Sequence, residues 1–213
     1  MDSTTAQTAD AGLRARKKLA TRQALALAAM RLAVERGVEN VRVEDITDQV
    51  NVSRRTFTNY FSCKEEAIAS LSADRFARAV EALRNRPSSE PLADSLAEVF
   101  AAEYEAAAQL DRERALAIGM MMTSPALQGE ALNTQVQAEG PLAKVIAQRT
   151  GGDPQDLYPH VLAAAVLAAV RTATSQWTAS ERAVSLPDLV RQAVQQVAGP
   201  GPSGTPAPAA DPR

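Results

Sequence analysis

The sequence predicts an all-α protein of about nine helices, and three observations carry that expectation. Apolar residues recur at i, i+3, i+4 and i+7 in one segment after another, as a helix with one buried face requires. The breaks between segments carry helix punctuation: Ser or Asp ahead of a segment, Pro in its first turn, Gly behind it. Finally, the 213 residues are 46% apolar but only 4% aromatic. Such a core is built from Ala, Leu and Val, which lets helices approach closely.

Met1–Asp10 is polar and rich in small residues, and disorder is expected there. Arg14, Arg16, Lys17 and Lys18 then place four positive charges within five residues. They read either as the solvated start of helix one or as an arm lying along phosphates or in a minor groove. Helix one continues through Thr21–Arg36 with Leu25, Ala28, Ala29 and Leu32 on one face, and Gly37 stops it. Helix two is Val43–Val50, with Val43, Ile46 and Val50 inward and Glu44 and Asp45 favouring its first turn through the helix dipole. Arg42 stands immediately before it.

Three residues, Asn51-Val52-Ser53, separate helix two from the next stretch, Arg54-Arg55-Thr56-Phe57-Thr58-Asn59-Tyr60-Phe61. Asn51 tolerates the left-handed conformation that such a turn needs, and Ser53 suits the N-cap. Phe57 and Phe61 stack on one helical face, while Asn59 falls opposite and Arg55 close beside it. The front therefore presents Arg54, Arg55, Thr56, Thr58 and Asn59. Those side chains can donate to guanine, bond adenine or contact a thymine methyl. About eight residues at ~1.5 Å rise give a rod of ~12 Å, the width of the DNA major groove. Two short helices joined in this way form a helix-turn-helix, whose second helix enters the groove.

These residues resemble the DNA-binding domain of the TetR family of bacterial regulators. The match rests on an Ala-rich first helix closing in Glu35-Arg36-Gly37, on Val43-Glu44-Asp45-Ile46, and on Val52-Ser53-Arg54-Arg55-Thr56-Phe57. Asn59-Tyr60-Phe61 followed by Lys64-Glu65 completes it. Arg42 stands where the family usually has a Thr or Ser cap, and Thr58 where it usually has a bulky aromatic. The resemblance implies DNA contacts from Ser53, Tyr60 and Arg42 besides the reading residues above, and a phosphate contact from Lys64.

Ser62-Cys63-Lys64-Glu65 reads as a capping box, with Ser62 capping and Glu65 reaching back, and opens a fourth helix that runs to about Arg84. Pro87–Pro91 is a break. Leu92, Leu96, Val99, Phe100 and Tyr104 form the next stripe, ending near Leu110. A short helix after Asp111 contains Met120-Met121-Met122, whose flexible thioethers suit either core filling or an adaptable apolar cavity. Ser124-Pro125 starts a helix that Gly140-Pro141 should bend or split before Gly151-Gly152 ends it. Asp153-Pro154 starts another. Its Val161–Val170 stretch is apolar at all ten positions, too short to span a bilayer and so buried on more than one side. Ser185-Leu186-Pro187 begins the last helix, and 199–213 reads as a disordered tail.

The net charge of −2 hides an asymmetry: 11–86 carries 15 Lys and Arg against 9 Asp and Glu, while 87–213 carries 8 against 14. A basic module joined to an acidic remainder suggests one polyanion binder and one part that binds something else. With one cysteine and one histidine, neither an internal disulfide nor a metal constellation is expected, and no cofactor either. No signal-like segment follows Met1, so a cytoplasmic protein without membrane attachment is expected. No phosphate loop, HExxH or nucleophile elbow marks an enzyme.

The chain thus divides into a disordered 1–10, a helix-turn-helix DNA-binding domain at 11–66, a helical ligand-binding and dimerisation domain at 67–198, and the tail. The family resemblance implies a homodimer on a palindromic operator in double-stranded DNA, and a pocket for a small hydrophobic ligand. Phe100, Tyr104, Met120, Met121 and Val166 are the expected lining. Asp153–Ala198 also resembles the subgroup that answers to acyl-CoA-like ligands. A nucleic-acid-binding architectural protein without effector, and a helical enzyme or carrier, are the alternatives.

Overall fold

The structure is a computed structural model that describes residues 3–105, 123–180 and 184–199. Among the described residues there are eight α-helices, one 3₁₀ turn and no strand. They are α1 (Ser3–Arg36), α2 (Val43–Val50), α3 (Arg54–Thr58), α4 (Lys64–Arg84), α5 (Leu92–Ala102), α6 (Pro125–Thr150), α7 (Leu157–Ala179) and α8 (Leu186–Ala198), with the 3₁₀ turn at Val38–Asn40. The short helix expected after Asp111, with Met120–Met122, lies outside the described residues, as does the tail beyond 199.

Several boundaries differ from the sequence expectation. Helix α1 begins at Ser3, so the segment expected to be disordered is helical. Helix α5 stops at Ala102, where the Tyr104 N–H bonds to the Ala101 carbonyl and tightens the chain into a turn. Pro141 does not split α6, which runs unbroken from Pro125 to Thr150. A proline removes one backbone donor and crowds the turn before it; here Gly140 has open space around it and Pro141 is exposed. Helix α7 begins at Leu157 rather than at the proline, because Asp153 and Asp156 close a turn first, the Asp153 N–H donating to the Asp156 carboxylate at 3.2 Å.

Other signals act as read. Gly37 takes φ +80 and ends α1. Gly151 takes φ +70 after α6, and the Gly152 N–H reaches the Ala147 carbonyl at 3.1 Å, closing the helix in a Schellman turn. Ser185 caps α8, its hydroxyl accepting from the Asp188 N–H.

The chain forms two compact units, with one boundary inside α4 after Arg75 and another inside α6 after Thr134. The first unit thus continues past Glu66 to residue 75 and also holds 123–134. Its core joins Leu25, Ala29 and Leu32 of α1 to Ile46, Phe57, Phe61 and Ile68, and takes in Leu127 from α6. Ser124 adds a polar tie, donating from Oγ to the Glu39 carboxylate at 3.2 Å.

The second unit is built on Phe76, Leu83, Leu96, Phe100, Leu142, Ile146, Val166 and Val190, with α8 packed on α5 and α7. Within Val161–Val170 only Val161 is exposed, so that stretch is covered on most of its circumference. Helix α7 is long and apolar enough to cross a membrane by length and composition, yet Leu162, Val166, Leu167 and Val170 are buried in the core of this unit. Arg149 ties the end of α6 to the turn before α5, donating to the carbonyls of Arg86, Pro87 and Glu90 and to Ser95 Oγ. Trp177 packs partly buried against the same core, and exposed His160 bonds to the Pro154 carbonyl.

Candidate nucleic-acid interface

The turn between α2 and α3 is made by Asn51, which sits at φ 55, ψ 50, the only left-handed non-glycine among the described residues. Its N–H returns to the Asp48 carbonyl at 3.2 Å, and the Val52 N–H to the Thr47 carbonyl at 3.0 Å. The end of α2 is therefore closed without glycine. Ser53 follows in an extended conformation, and its Oγ accepts from the Thr56 N–H at 3.1 Å, the N-cap bond the sequence promised. The Ser53 and Thr56 hydroxyls also pair at 2.9 Å.

Helix α3 is shorter than the eight residues expected: it comprises Arg54–Thr58. The coil does not stop abruptly, since the Asn59 N–H reaches the Arg55 carbonyl at 3.2 Å and the Phe61 N–H reaches Phe57 at 3.0 Å. The two faces separate as the spacing requires. Phe57 and Phe61 are buried with ring centroids 5.7 Å apart, and Tyr60 leans on the same core, 6.4 Å from Phe61. Arg54, Arg55, Thr58 and Asn59 are exposed.

The exposed groups are not equally committed. Arg54 pairs with Glu44 of α2 at 2.8 Å, and the Thr58 hydroxyl donates to the Arg55 carbonyl. Arg42 occupies the α2 N-cap position but carries no acceptor. Only half a capping box forms, the Asp45 carboxylate accepting from the Arg42 N–H at 2.9 Å while the guanidinium stays at the exposed surface. At the start of α4 the box is one residue later than expected. Glu66, not Glu65, accepts from the Ser62 N–H and hydroxyl, and Cys63 Sγ accepts from the Glu66 N–H.

Lys64 is the residue whose surroundings differ most from the reading. Its Nζ donates to the Val41 carbonyl at 2.8 Å, lies 3.8 Å from Glu65, and its side chain is only 18% exposed. It links the start of α4 to the residue before Arg42. Arg14, Arg16, Lys17 and Lys18 are exposed, and they stand on a continuous helix instead of a loose arm. At ~100° per residue, Arg14, Lys17 and Lys18 share one side of α1 and Arg16 takes the other.

Two residues absent from the sequence reading hold the module together. Arg22 of α1 donates to both oxygens of Asp74 on α4, at 3.0 and 3.1 Å, and lies 5.3 Å from the centre of the Phe61 ring. These partners are 52 residues apart in the chain, so no local spacing could reveal them.

Of the expected ligand residues, Phe100, Tyr104 and Val166 are brought together in the core of the second unit, all buried, with Phe100 6.3 Å from Phe76. Met120 and Met121 lie outside the described residues.

A capped recognition helix seated on two buried aromatics, behind a glycine-free turn, defines a helix-turn-helix DNA-binding protein. The comparisons narrow the class. Residues 25–71 match the family described as bacterial regulatory proteins, tetR family, and 87–202 match the MftR C-terminal domain. The chain belongs to the TetR family of transcriptional regulators, which are not enzymes. It is 34% identical over 176 residues to the HTH-type transcriptional regulator TcmR of Streptomyces glaucescens, covering 78% of this chain and 76% of that one. It is 25% identical over 187 residues to MftR of Mycobacterium tuberculosis H37Rv, covering 85% and 91%. In fold it resembles FadR of Thermus thermophilus, a repressor crystallised with lauroyl-CoA, at TM-score 0.56 and 22% identity over 89% of this chain and all of that one. FadR of Bacillus halodurans, a fatty acid degradation regulator, gives TM-score 0.56 and 16% identity over 84% and 95%.

Proposed function

We propose that this TetR-family regulator is a repressor that binds a palindromic operator as a homodimer and is released by a small hydrophobic effector of the acyl-CoA type. The observation that carries the DNA half is the opposition of exposed Arg55 and Asn59 to the buried Phe57–Phe61 pair. The same face takes Arg54, Thr56, Thr58 and Ser53 to base edges and phosphates, while Arg14, Lys17 and Lys18 supply a cationic side of α1 for the flanking backbone. A regulator of this kind works where the chromosome is, in the cytoplasm.

Support for a dimer comes from exposed apolar side chains on α7 and α8: Leu157 is 78% exposed, Tyr158 58%, Val161 55% and Val197 41%. Apolar side chains standing that far into water on adjacent turns suit a two-fold partner. Such symmetry presents two recognition helices to successive major grooves, ~34–36 Å apart.

The effector class is supported by the apolar cluster around Phe100, Tyr104 and Val166 and by the likeness to a repressor crystallised with lauroyl-CoA. Releasing DNA requires the ligand to prefer the incompetent form by about 5 kcal/mol for full reversal. Six or seven methylenes buried in that form and not in the other, at ~0.8 kcal/mol each, are enough.

The test is a genomic footprint of the purified protein, followed by titration of the protein–operator complex with lauroyl-CoA. Release in the micromolar range, by a protein that sediments as a dimer, is expected. Retention of operator at saturating lauroyl-CoA would remove this ligand class, and a monomer at micromolar concentration would remove the two-fold arrangement.

A further inference from the structure

We propose that Arg22 is a positioning residue for DNA binding: held between the Asp74 carboxylate and the Phe61 ring, it fixes the recognition helix against α4. The proposal rests on the reading that α3 recognises DNA. Two helices and the connection between α3 and α4 meet at this one guanidinium. Arg22 comes from α1 and Asp74 from α4, with side chains 29% and 25% exposed, and one nitrogen serves both carboxylate oxygens at 3.0 and 3.1 Å. Its Cζ lies over the Phe61 ring, 5.3 Å from the centroid, at the junction of α3 and α4. Phe61 in turn packs on Phe57, the buried side chain of α3 itself.

The chemistry of arginine explains why this residue suits the place. A planar guanidinium can bond in its plane and offer its face to a ring at the same time; an ammonium has no such pair of surfaces. The bond also has a narrow range, weakening once donor and acceptor part beyond about 3.2 Å. A slide of α4 by an ångström or two must therefore break the pair or carry the Arg22 guanidinium out of its place over Phe61, the residue on which α3 is seated. Asp74 sits one residue before the end of this part of the first unit, at Arg75. Arg22 is committed to Asp74 through one nitrogen and its side chain is only 29% exposed, whereas Arg55 of the reading face is exposed; its effect is therefore assigned to Phe61 and not to a phosphate contact.

The sign of one substitution discriminates. Removing an acidic side chain from a DNA-binding module should, on charge alone, tighten binding to a polyanion. If the clasp positions α3, Asp74→Asn should instead weaken it. The full-length parent, Asp74→Asn, Arg22→Met and the double variant would be titrated with the operator from ~50 to ~200 mM salt at about 25 °C, with thermal melts to establish that each is folded there. Each single variant should lose about 5- to 20-fold in operator affinity, as residues that transmit position typically do. The double variant should be no weaker than the weaker single one, and the salt slope should match the parent. A purely structural role would lower the melting temperature and leave the affinity of the folded protein unchanged. Asp74→Asn binding as tightly as the parent or more so, additive losses, or a salt slope shallower by ~0.9 in Arg22→Met would each overturn the proposal. If Arg22→Met fails to fold, the near-isosteric Asp74→Asn decides alone. A parent that selects no DNA sequence would instead refute the DNA-binding reading itself.

Discussion

The two units of this chain solve opposite problems with nearly the same residue types. The first builds a surface for another molecule from a five-residue helix that is too short to be stable by itself. The conformation of that helix is specified locally, by a Ser53 cap, a left-handed Asn51 and two aromatics one turn apart, even though its seating draws on more distant partners. The second unit is built from whole helices of 11 to 23 residues, with the later parts of α4 and α6, whose apolar stripes meet across the core, and no short stretch specifies anything by itself. A recognition surface is a property of a few neighbours; a place for an apolar ligand is a property of an assembly.

The largest expected effect breaks the first unit and spares the second. Phe57 is fully buried and carries the back of α3. Phe57→Ala should cost about 3–5 kcal/mol through lost burial and the cavity left behind, a large share of the roughly 5–15 kcal/mol that holds a typical domain. Thermal melts followed by circular dichroism should show an early partial loss of helix, together with loss of operator binding. Loss of all helical signal in one step would show that the units fold as one, and the contrast drawn here would not extend to stability.

That contrast also explains what could be read in advance. Asn51, Ser53, the Phe57–Phe61 face, Gly37 and the Ser185 cap were legible because each is decided within about four residues of chain. The box at the start of α4 was placed one residue early because Glu65 and Glu66 are equivalent in sequence, and only the turn at Ser62 decides which one folds back. Lys64 at Val41, Arg22 at Asp74 and Arg149 at Arg86 were beyond reach, being 23, 52 and 63 residues apart. Leu127 is the same lesson in apolar form: its helix reads like the rest of the second half, yet it completes the first unit's core. Of the residues proposed to line a ligand site, Phe100, Tyr104 and Val166 were legible as buried positions through helical spacing, and a stripe says which side chains are buried without saying around what.

A smaller effect sharpens the reading of the first unit. Arg55 is exposed on α3, whereas Arg54 is engaged by Glu44. Arg55→Ala should cost about 1–3 kcal/mol at one base pair of the operator, flattening the preference there, with the melting temperature unchanged. Selection from random DNA, parent against variant, would register it. An unaltered consensus would mean that the reading face is turned toward Arg54 and away from Arg55.

The smallest effect belongs to the second unit and should be invisible to DNA. Glu90 accepts from the Arg86 guanidinium and from Ser95 Oγ, the latter at 2.7 Å, and those bonds hold its carboxyl at about 2 where 4.5 is ordinary. A carboxyl that is more acidic in the folded state stabilises the fold above the unfolded value and loses that contribution as the pH drops through the folded one. The window therefore runs from about 4.5 down to about 2. Glu90→Gln should be modestly less stable than the parent at pH 7, with the gap closing across that window. Because the pair is partly exposed, added salt should also narrow the gap. Urea melts of both proteins between pH 7 and about pH 2 would follow this, alongside operator titrations at pH 7. A gap that stayed constant to the acid end would mean that Glu90 contributes shape and hydrogen bonding without its charge. A loss of operator affinity would mean that the turn before α5 reaches the recognition surface, and the separation of tasks between the two units would have to be abandoned.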